Sequence, residues 1–309
     1  MKAVTVCGIQ IASIPGDVRQ NVRKALDWLA KAQGEFGAEI AVFPESVTTT
    51  FNPGMSREAL YDIVEPIPGD VTDAFCRASS DLNTIVVLPV YERGRDRPTI
   101  YNSAVLITPG SGVVGVYRKT HPFTTERVEG GGWTTPGHTA RVYQTSCAML
   151  GMMICYDGDF PELARVMAID GAEVLARPSA FLRSYDIWHL TNAARAYDNH
   201  VYVVAVNAVG RDGAGNYYAG HSMVISPTGE KLAQARGSEE IIVARLDPDP
   251  MRYVSPGTRA PMVFDHLQDR NIAAYEGIIR EARSAFEPAL RVPYGRPAGK
   301  SREEDSPAS

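Results

Sequence analysis

No stretch of the 309 residues approaches the roughly 18 consecutive apolar residues that a membrane-spanning helix requires. Membrane passage is therefore not expected. Basic blocks are also missing: 31 Lys and Arg stand against 36 Asp and Glu, for a net charge of −5. Without a cationic stripe to track phosphates, nucleic acid is not an expected partner. Cysteine is scarce. The four thiols, at 7, 76, 147 and 155, form no CxxC pair, so neither a disulfide framework nor a cysteine zinc site is expected, and a reduced cytoplasmic setting fits. Six scattered histidines offer no zinc-ligand spacing. The Gly130-Gly131-Gly132 run lacks the strand–glycine–helix context and the Lys-Ser/Thr of a phosphate cradle. Metal and cofactor are both expected to be absent. The opening MKAVTVCGIQIAS alternates like a strand and has no separate apolar run with a cleavage site, so it reads as β-structure and not as a signal peptide.

What is present is ordinary globular material, 44% hydrophobic and 22% charged, in a chain long enough to bury a large core. Residues 3–12 predict a strand. Apolar positions at Val18, Val22, Ala25, Leu26, Leu29 and Ala30 predict a helix, with Asp17 as its N-cap and Gly37 as its stop. A short strand at EIAVFPE, helices near 56–64 and 71–82, and strands at 84–91, 102–108 and 113–118 follow. The second half predicts strands at 141–145 and 149–154, a helix from Pro161 to about 170, a strand at 173–177 and a helix over 184–199. Strands at 201–208, 221–226 and 240–246 come next, with a turn at 227–230, then a helical run near 267–287. No internal repeat or linker interrupts residues 1–290, which read as one domain with a C-terminal extension from about 265. The polar stretch 293–309 is expected to be disordered. Early β-α-β units argue for α/β layering. Several strands are apolar throughout, so both sheet faces need cover, which two stacked sheets with outer helices would provide.

Chemistry-bearing residues appear where buried strands end. Glu45 follows IAVFP, Lys119 follows VVGVYR, and Cys155 follows MLGMMI. In α/β sheets such positions converge on one rim. Taken singly, each has a bland reading: a loop charge, a surface cation, a buried structural thiol. Together they suggest a device. A thiol is mostly protonated at neutral pH. An ammonium nearby favours the thiolate, and a carboxylate can accept the proton. The helix beginning near Pro161 would turn its positive end toward that region, and N–H groups after Cys155 could face an oxyanion.

In the motifs AVFPES, VYRKTHPF and MMICYDGDFPELAR, taken in that order, the chain resembles the nitrilase superfamily of carbon–nitrogen hydrolases; GHSMVISPTGE is similar to a late strand–turn signature of the same family. The resemblance spans about residues 3–265. It implies a four-layer α-β-β-α sandwich with two mixed central sheets, a Glu-Lys-Cys triad at Glu45, Lys119 and Cys155, and a homodimer or larger homo-oligomer. It further implies hydrolysis of a non-peptide C–N bond, with a small-molecule amide as substrate and no metal or cofactor. Many relatives carry a second glutamate after the lysine. Glu126 and Glu129 are the candidates here, and Glu126 has the better spacing.

Tyr156, Ser179, Ala180 and Trp133 are expected to contact substrate, although Trp133 could equally anchor its loop. Nitrilases proper tend to carry Trp-Glu after the cysteine, whereas this chain has Tyr156-Asp157. That favours an amidase, cleaving a small amide to an acid and ammonia through a cysteine thioester. An N-carbamoyl amino acid or amine amidohydrolase is the alternative, and Arg177 and Arg183 are the cations such a substrate would call upon. A nitrilase is less favoured. A binding protein on an inactive hydrolase scaffold is the non-enzymatic reading, against which the intact Glu-Lys-Cys set argues.

Overall fold

The computed structural model describes residues 1–255, 257–286 and 288–294. Two six-stranded sheets lie face to face. In the first half, β1 (Val4–Gln10) leads through α1 (Val18–Phe36) to β2 (Ile40–Val42). Then come α2 (Arg57–Ile63), α3 (Asp70–Leu82), β3 (Ile85–Arg93), β4 (Ile100–Thr108) and β5 (Gly112–Arg118). The second half contains β6 (Val142–Gln144), β7 (Met149–Met152), α4 (Pro161–Ile169), β8 (Val174–Ser179), α5 (Tyr185–Asn199) and β9 (Tyr202–Asn207). It closes with the hairpin β10 (Val209–Arg211) and β11 (Tyr217–Ala219), then β12 (Met223–Ile225), β13 (Lys231–Gln234) and β14 (Glu240–Leu246). The first sheet runs β14-β1-β2-β3-β4-β5 and the second β13-β12-β9-β8-β7-β6. Both are mixed. A parallel trio, β1-β2-β3 in one and β7-β8-β9 in the other, is flanked by antiparallel strands.

Side-chain alternation explains the layering. Val4, Val6, Ile40, Val42, Ile85, Val87, Ala104 and Leu106 face the second sheet and pack with Leu150, Met152, Ala176, Val204 and Val224. Their neighbours Cys7, Ile9, Ala41, Phe43, Val86, Leu88, Val105 and Ile107 face the other way, onto Ala25, Leu29 and Phe75 of α1 and α3. Strands covered on both faces need no polar face, hence their uninterrupted apolar runs. With α4 and α5 outside the second sheet, the result is the expected α-β-β-α sandwich. α1 begins and ends as its sequence requires: the Asp17 carboxylate accepts from Gln20 N at 3.0 Å, and Gly37 closes it at φ 64°.

Two expectations are corrected. The helix expected over 267–287 is a 3-10 segment, Ile272–Ile279, with no buried residue. Ile272, Ile278 and Ile279 are 60–89% exposed, so there is no packed stripe to stabilise a run containing β-branched residues and Gly277. The expected strand 149–154 stops at Met152, because the backbone turns into a 3-10 loop over Cys155–Asp159. Of the stretch expected to be disordered, residues 295–309 lie outside the described residues.

Candidate active site

Each strand end delivers one side chain to a common rim. β2 passes through Phe43 and Pro44 to Glu45, whose backbone N–H donates to Ser179 O at 3.4 Å, tying it to the end of β8. β5 leads to Lys119, whose N–H donates to Asn102 O at 2.8 Å. The loop after it folds back so that Glu126 joins them. Glu45, Lys119 and Glu126 are all buried. Lys119 Nζ donates to Glu45 Oε1 at 2.7 Å and to Glu126 Oε1. Asn102 Nδ2 bridges the two carboxylates, at 2.8 Å from Glu45 Oε1 and 3.2 Å from Glu126 Oε2. Ala180 N–H holds Glu45 Oε2 at 2.8 Å, while Phe123 N–H and the Thr134 hydroxyl hold Glu126 at 2.7 and 2.9 Å. Glu129 lies exposed on a 3-10 turn, so Glu126 is the glutamate that reaches the lysine.

Burial works against the Lys119 charge, but the Glu126 and Glu45 carboxylates outweigh it and keep the ammonium protonated. Burial also pushes the Glu45 carboxyl up, against the pull of Lys119. Glu45 is thereby placed as a base stronger than a solvated carboxylate.

Cys155 stands at the head of the turn after β7. Its φ is 48°, in the left-handed region that a non-glycine residue adopts only under constraint. Asp157 supplies much of that constraint. Its carboxylate accepts from Ile154 N at 2.8 Å, Tyr117 OH at 2.7 Å and His121 N at 2.9 Å, which closes the turn and ties it to the loop after β5. Burial raises the thiol pKa and Glu45 adds to that, while Lys119, Arg177 and the Ala180 N–H oppose it. The same Ala180 N–H thus bears on both the sulfur and Glu45.

The thiol opens into a narrow cleft with about 300 Å³ of empty space, its open mouth included, lined by Phe51, Phe123, Tyr156, Ala180, Phe181, Leu182 and Arg183. Tyr156 packs edge-on against Phe123 and Phe160 at 5.2 and 5.1 Å. Of the four residues expected to touch substrate, Tyr156 and Ala180 line the cleft. Trp133 and Ser179 do not. Trp133 stands behind Phe51, its ring edge-on to Phe51 and Tyr91 at 6.1 Å each, because its large apolar surface is satisfied in the cluster with Leu60, Tyr61 and Ile100. Ser179 is fully buried and turns its hydroxyl onto Arg177 O at 3.2 Å.

Phe51, Phe123 and Phe181 sit on irregular segments, where no periodicity marks a residue as lining anything. Asn102, which the sequence reading missed, and Arg177, which it read only as a cation for a charged substrate, carried a usable signal. Each is a polar residue inside an apolar strand, a placement that demands a partner. A larger groove, with about 1680 Å³ of empty space on the same measure, lies between α4, α5 and residues 266–279 and shares no lining residue with the thiol cleft. Among the described residues no helix is long and apolar enough to cross a membrane, and no group of three or more His, Cys, Asp or Glu is placed to hold a metal ion.

Residues 3–254 match the carbon–nitrogen hydrolase family. A probable nitrilase of Schizosaccharomyces pombe is 32% identical over 86% of this chain and 99% of its own length. An (R)-stereoselective amidase of a Pseudomonas species is 32% identical over 85% of this chain and 90% of its own. Among solved structures, Saccharomyces cerevisiae Nit3, a member of branch 10 of the nitrilase superfamily, superposes with a TM-score of 0.72 at 27% identity, over 83% of this chain and 96% of that one.

Proposed function

The chain belongs to the carbon–nitrogen hydrolase family of the nitrilase superfamily, and from that premise we propose that it hydrolyses a small linear amide to a carboxylic acid and ammonia through a thioester on Cys155. The observation that carries the proposal is the wholly buried Lys119 held between Glu45 and Glu126 at the rim where Cys155 emerges. A buried ion cluster of net charge −1 is costly to assemble, and its expense is understandable if protons and a developing negative charge must be handled there.

In this reading Glu45 takes the proton from Cys155 Sγ as sulfur attacks the amide carbon. The carbonyl electron pair moves to oxygen, where the Lys119 ammonium and the Tyr156 N–H stabilise it. The protonated Glu45 gives its proton to the amide nitrogen as the C–N bond breaks, and ammonia leaves. Water then attacks the thioester, Glu45 takes the water's proton, and collapse returns the proton to sulfur and releases the acid. Glu126 makes no contact with the reacting atoms. Its part is to fix Lys119 and to raise the basicity of Glu45. The aromatic walls suit a small amide with an apolar substituent, and the absence of Trp-Glu after Cys155 keeps a nitrile the less favoured substrate.

One observation favours a second reading. The Arg183 guanidinium lines the mouth of the cleft, 4.5 Å over the Phe181 ring and 2.7 Å from Asp159. A cation there would suit the carboxylate of an N-carbamoyl amino acid. A panel of amides, ureido acids and nitriles, read by ammonia and carbon dioxide release, separates the possibilities. The proposal expects ammonia without carbon dioxide from an aliphatic amide, and no turnover by Cys155→Ala. Carbon dioxide from ureido acids with inert amides would favour the second reading. An amide turned over equally well by the alanine variant would refute the scheme.

A further inference from the structure

β8 places a cation where its pattern calls for a hydrocarbon. Every residue of Val174–Ser179 is buried, and Arg177 is completely so. A buried guanidinium persists only when its donors are taken up. Arg177 spends them on the nucleophile turn and on α5. Nε and Nη2 both donate to the carbonyl oxygen of Cys155, at 2.9 and 2.7 Å. Nη1 donates to Thr191 Oγ1 and Asn192 Oδ1, each at 2.8 Å. Nη2 also lies 3.4 Å from Asp159, a carboxylate shared with Arg183. The two-pronged grip thus falls on a neutral main-chain oxygen, which does not cancel the charge.

Gly158 is part of the same arrangement. A Cβ there would stand 2.1–2.6 Å from Arg177 Cζ, Nε and Nη2. Gly158 is not among the residues of positive φ, so its missing side chain serves to admit the guanidinium and not to permit a special backbone. Cys155, by contrast, does hold a left-handed φ of 48°, and its carbonyl is the atom that Arg177 grips.

We propose that Arg177 is a positioning residue for the nucleophile. By holding the Cys155 carbonyl it locks the Cys155–Tyr156 peptide, aims and polarises the Tyr156 N–H that receives the oxyanion, and fixes a second positive charge beside the sulfur. The inference rests on the assignment of Cys155 as nucleophile. The physics is direct. A peptide unit is planar and trans, so gripping its oxygen on one side orients its N–H on the other. Hydrogen bonds accepted by a carbonyl polarise the whole amide and strengthen its N–H as a donor. The charge also favours the thiolate. The charged groups that act on the thiol are Glu45 from the end of β2, Lys119 from the end of β5, Arg177 from β8 and Arg183 from the segment before α5. Asp157 and Asp159 share the turn with Cys155 but spend their carboxylates on Ile154 N, Tyr117 and His121 and on Arg177 and Arg183. Arg177 joins Lys119 in opposing the effects of burial and of Glu45.

The experiment compares Arg177→Met, Arg177→Lys and Gly158→Ala with the parent enzyme. It follows steady-state ammonia release, the pH dependence of Cys155 alkylation by iodoacetamide, and thermal melting. For Arg177→Met the expected result is a fall in kcat of about 10²–10³-fold, the cost of a poor oxyanion donor, with KM changed far less. Its alkylation midpoint should rise by about 1 pH unit, the low end of what a lost neighbouring charge produces. Arg177→Lys restores the charge but cannot place two coplanar N–H groups on one oxygen. Its alkylation midpoint should return to the parent value while kcat stays depressed. Gly158→Ala keeps the charge but displaces the grip, and should lower kcat at least about tenfold. Parent-like kcat and midpoint in a folded Arg177→Met enzyme would overturn the inference. So would equal losses of activity in both Arg177 variants with unmoved alkylation midpoints, the pattern of a purely structural role. If Arg177→Met does not fold, parent-like kcat in Gly158→Ala overturns it. A parent enzyme whose Cys155 resists iodoacetamide while amides are turned over would overturn the nucleophile assignment itself, and this inference with it.

Discussion

Replacing Glu126 by glutamine removes one charge from the buried cluster and keeps its shape. Glu45 and Glu126 share the amide of Asn102, at 2.8 and 3.2 Å, so the two carboxylate oxygens lie at most about 6 Å apart and, at an effective dielectric near 20, their charges repel by roughly 3 kcal/mol. That corresponds to about 2 pH units on the protonation of Glu45. The sign follows from the cluster. Burial pushes Glu45 up, Lys119 pulls it down, and Glu126 pushes it up again. Glutamine at 126 removes that second push, and Glu45 then stays ionised to lower pH. The acid limb of kcat/KM against pH should therefore move down by about 2 pH units. Above that limb the rate should fall by about tenfold or more, because a weakened base surrenders part of the 10²–10⁴ that general-base catalysis supplies. The assay is ammonia release from one amide between pH 4 and 9, with circular dichroism to show an intact fold. An acid limb that stays in place or moves up would refute the electrostatic role given to Glu126.

Other outcomes follow from the same geometry. In Gly132→Ala the new Cβ would lie 2.3–2.6 Å from the Glu126 backbone, so the loop must shift, and ammonia release should drop at least about tenfold; an unchanged rate would show that Glu126 need not sit where it does. Asp157→Ala strips the acceptor from Ile154 N, His121 N and Tyr117 OH. Urea unfolding should register a loss of about 3 kcal/mol or more, and a loss under about 1 kcal/mol would contradict the turn-holding role. His200 is held below its usual pKa, chiefly by burial, so the unfolded chain takes up its proton first and His200 lowers stability as pH falls through and below the unfolded value near 6.5. His200→Asn, which tolerates the left-handed C-cap position of α5, should shrink the stability difference between pH 7.5 and 5.5; an unchanged or larger difference would contradict this.

What the sequence disclosed followed from periodicity and from the places where it breaks. Strands covered on both faces announce themselves as apolar runs, and Glu45 and Cys155 were visible as the first reactive group after such a run, Lys119 as the second of two cations that close the half-exposed β5. Glu126 could be preferred to Glu129 by spacing, but the reason it reaches Lys119 is a loop geometry fixed by Phe123 N–H and Thr134, which no local pattern encodes. Of the cleft walls, Tyr156 and Ala180 were expected, whereas Phe51 and Phe123 were missed for the same cause. Phe51, Phe123 and Phe181 lie on irregular backbone, whereas Trp133, the most conspicuous aromatic nearby, belongs to a separate cluster behind Phe51. The 267–287 segment misled because helical spacing of apolar residues stabilises a helix only when something covers them, and here the isoleucines remain exposed. Arg177 showed itself as a charge in a buried strand. Its partner, a main-chain oxygen 22 residues earlier, could not be read from side-chain identities.

In the proposed scheme, turnover depends on sulfur chemistry at one position, Cys155. The most direct measurement is intact-protein and peptide mass spectrometry on enzyme quenched in acid during turnover of an amide. An acyl adduct, of mass equal to the acid's less water, should appear on the peptide containing Cys155, decay as ammonia release ends, and be missing from Cys155→Ala. Turnover without any adduct on that peptide, or an adduct carried by Cys7, Cys76 or Cys147 instead, would contradict it.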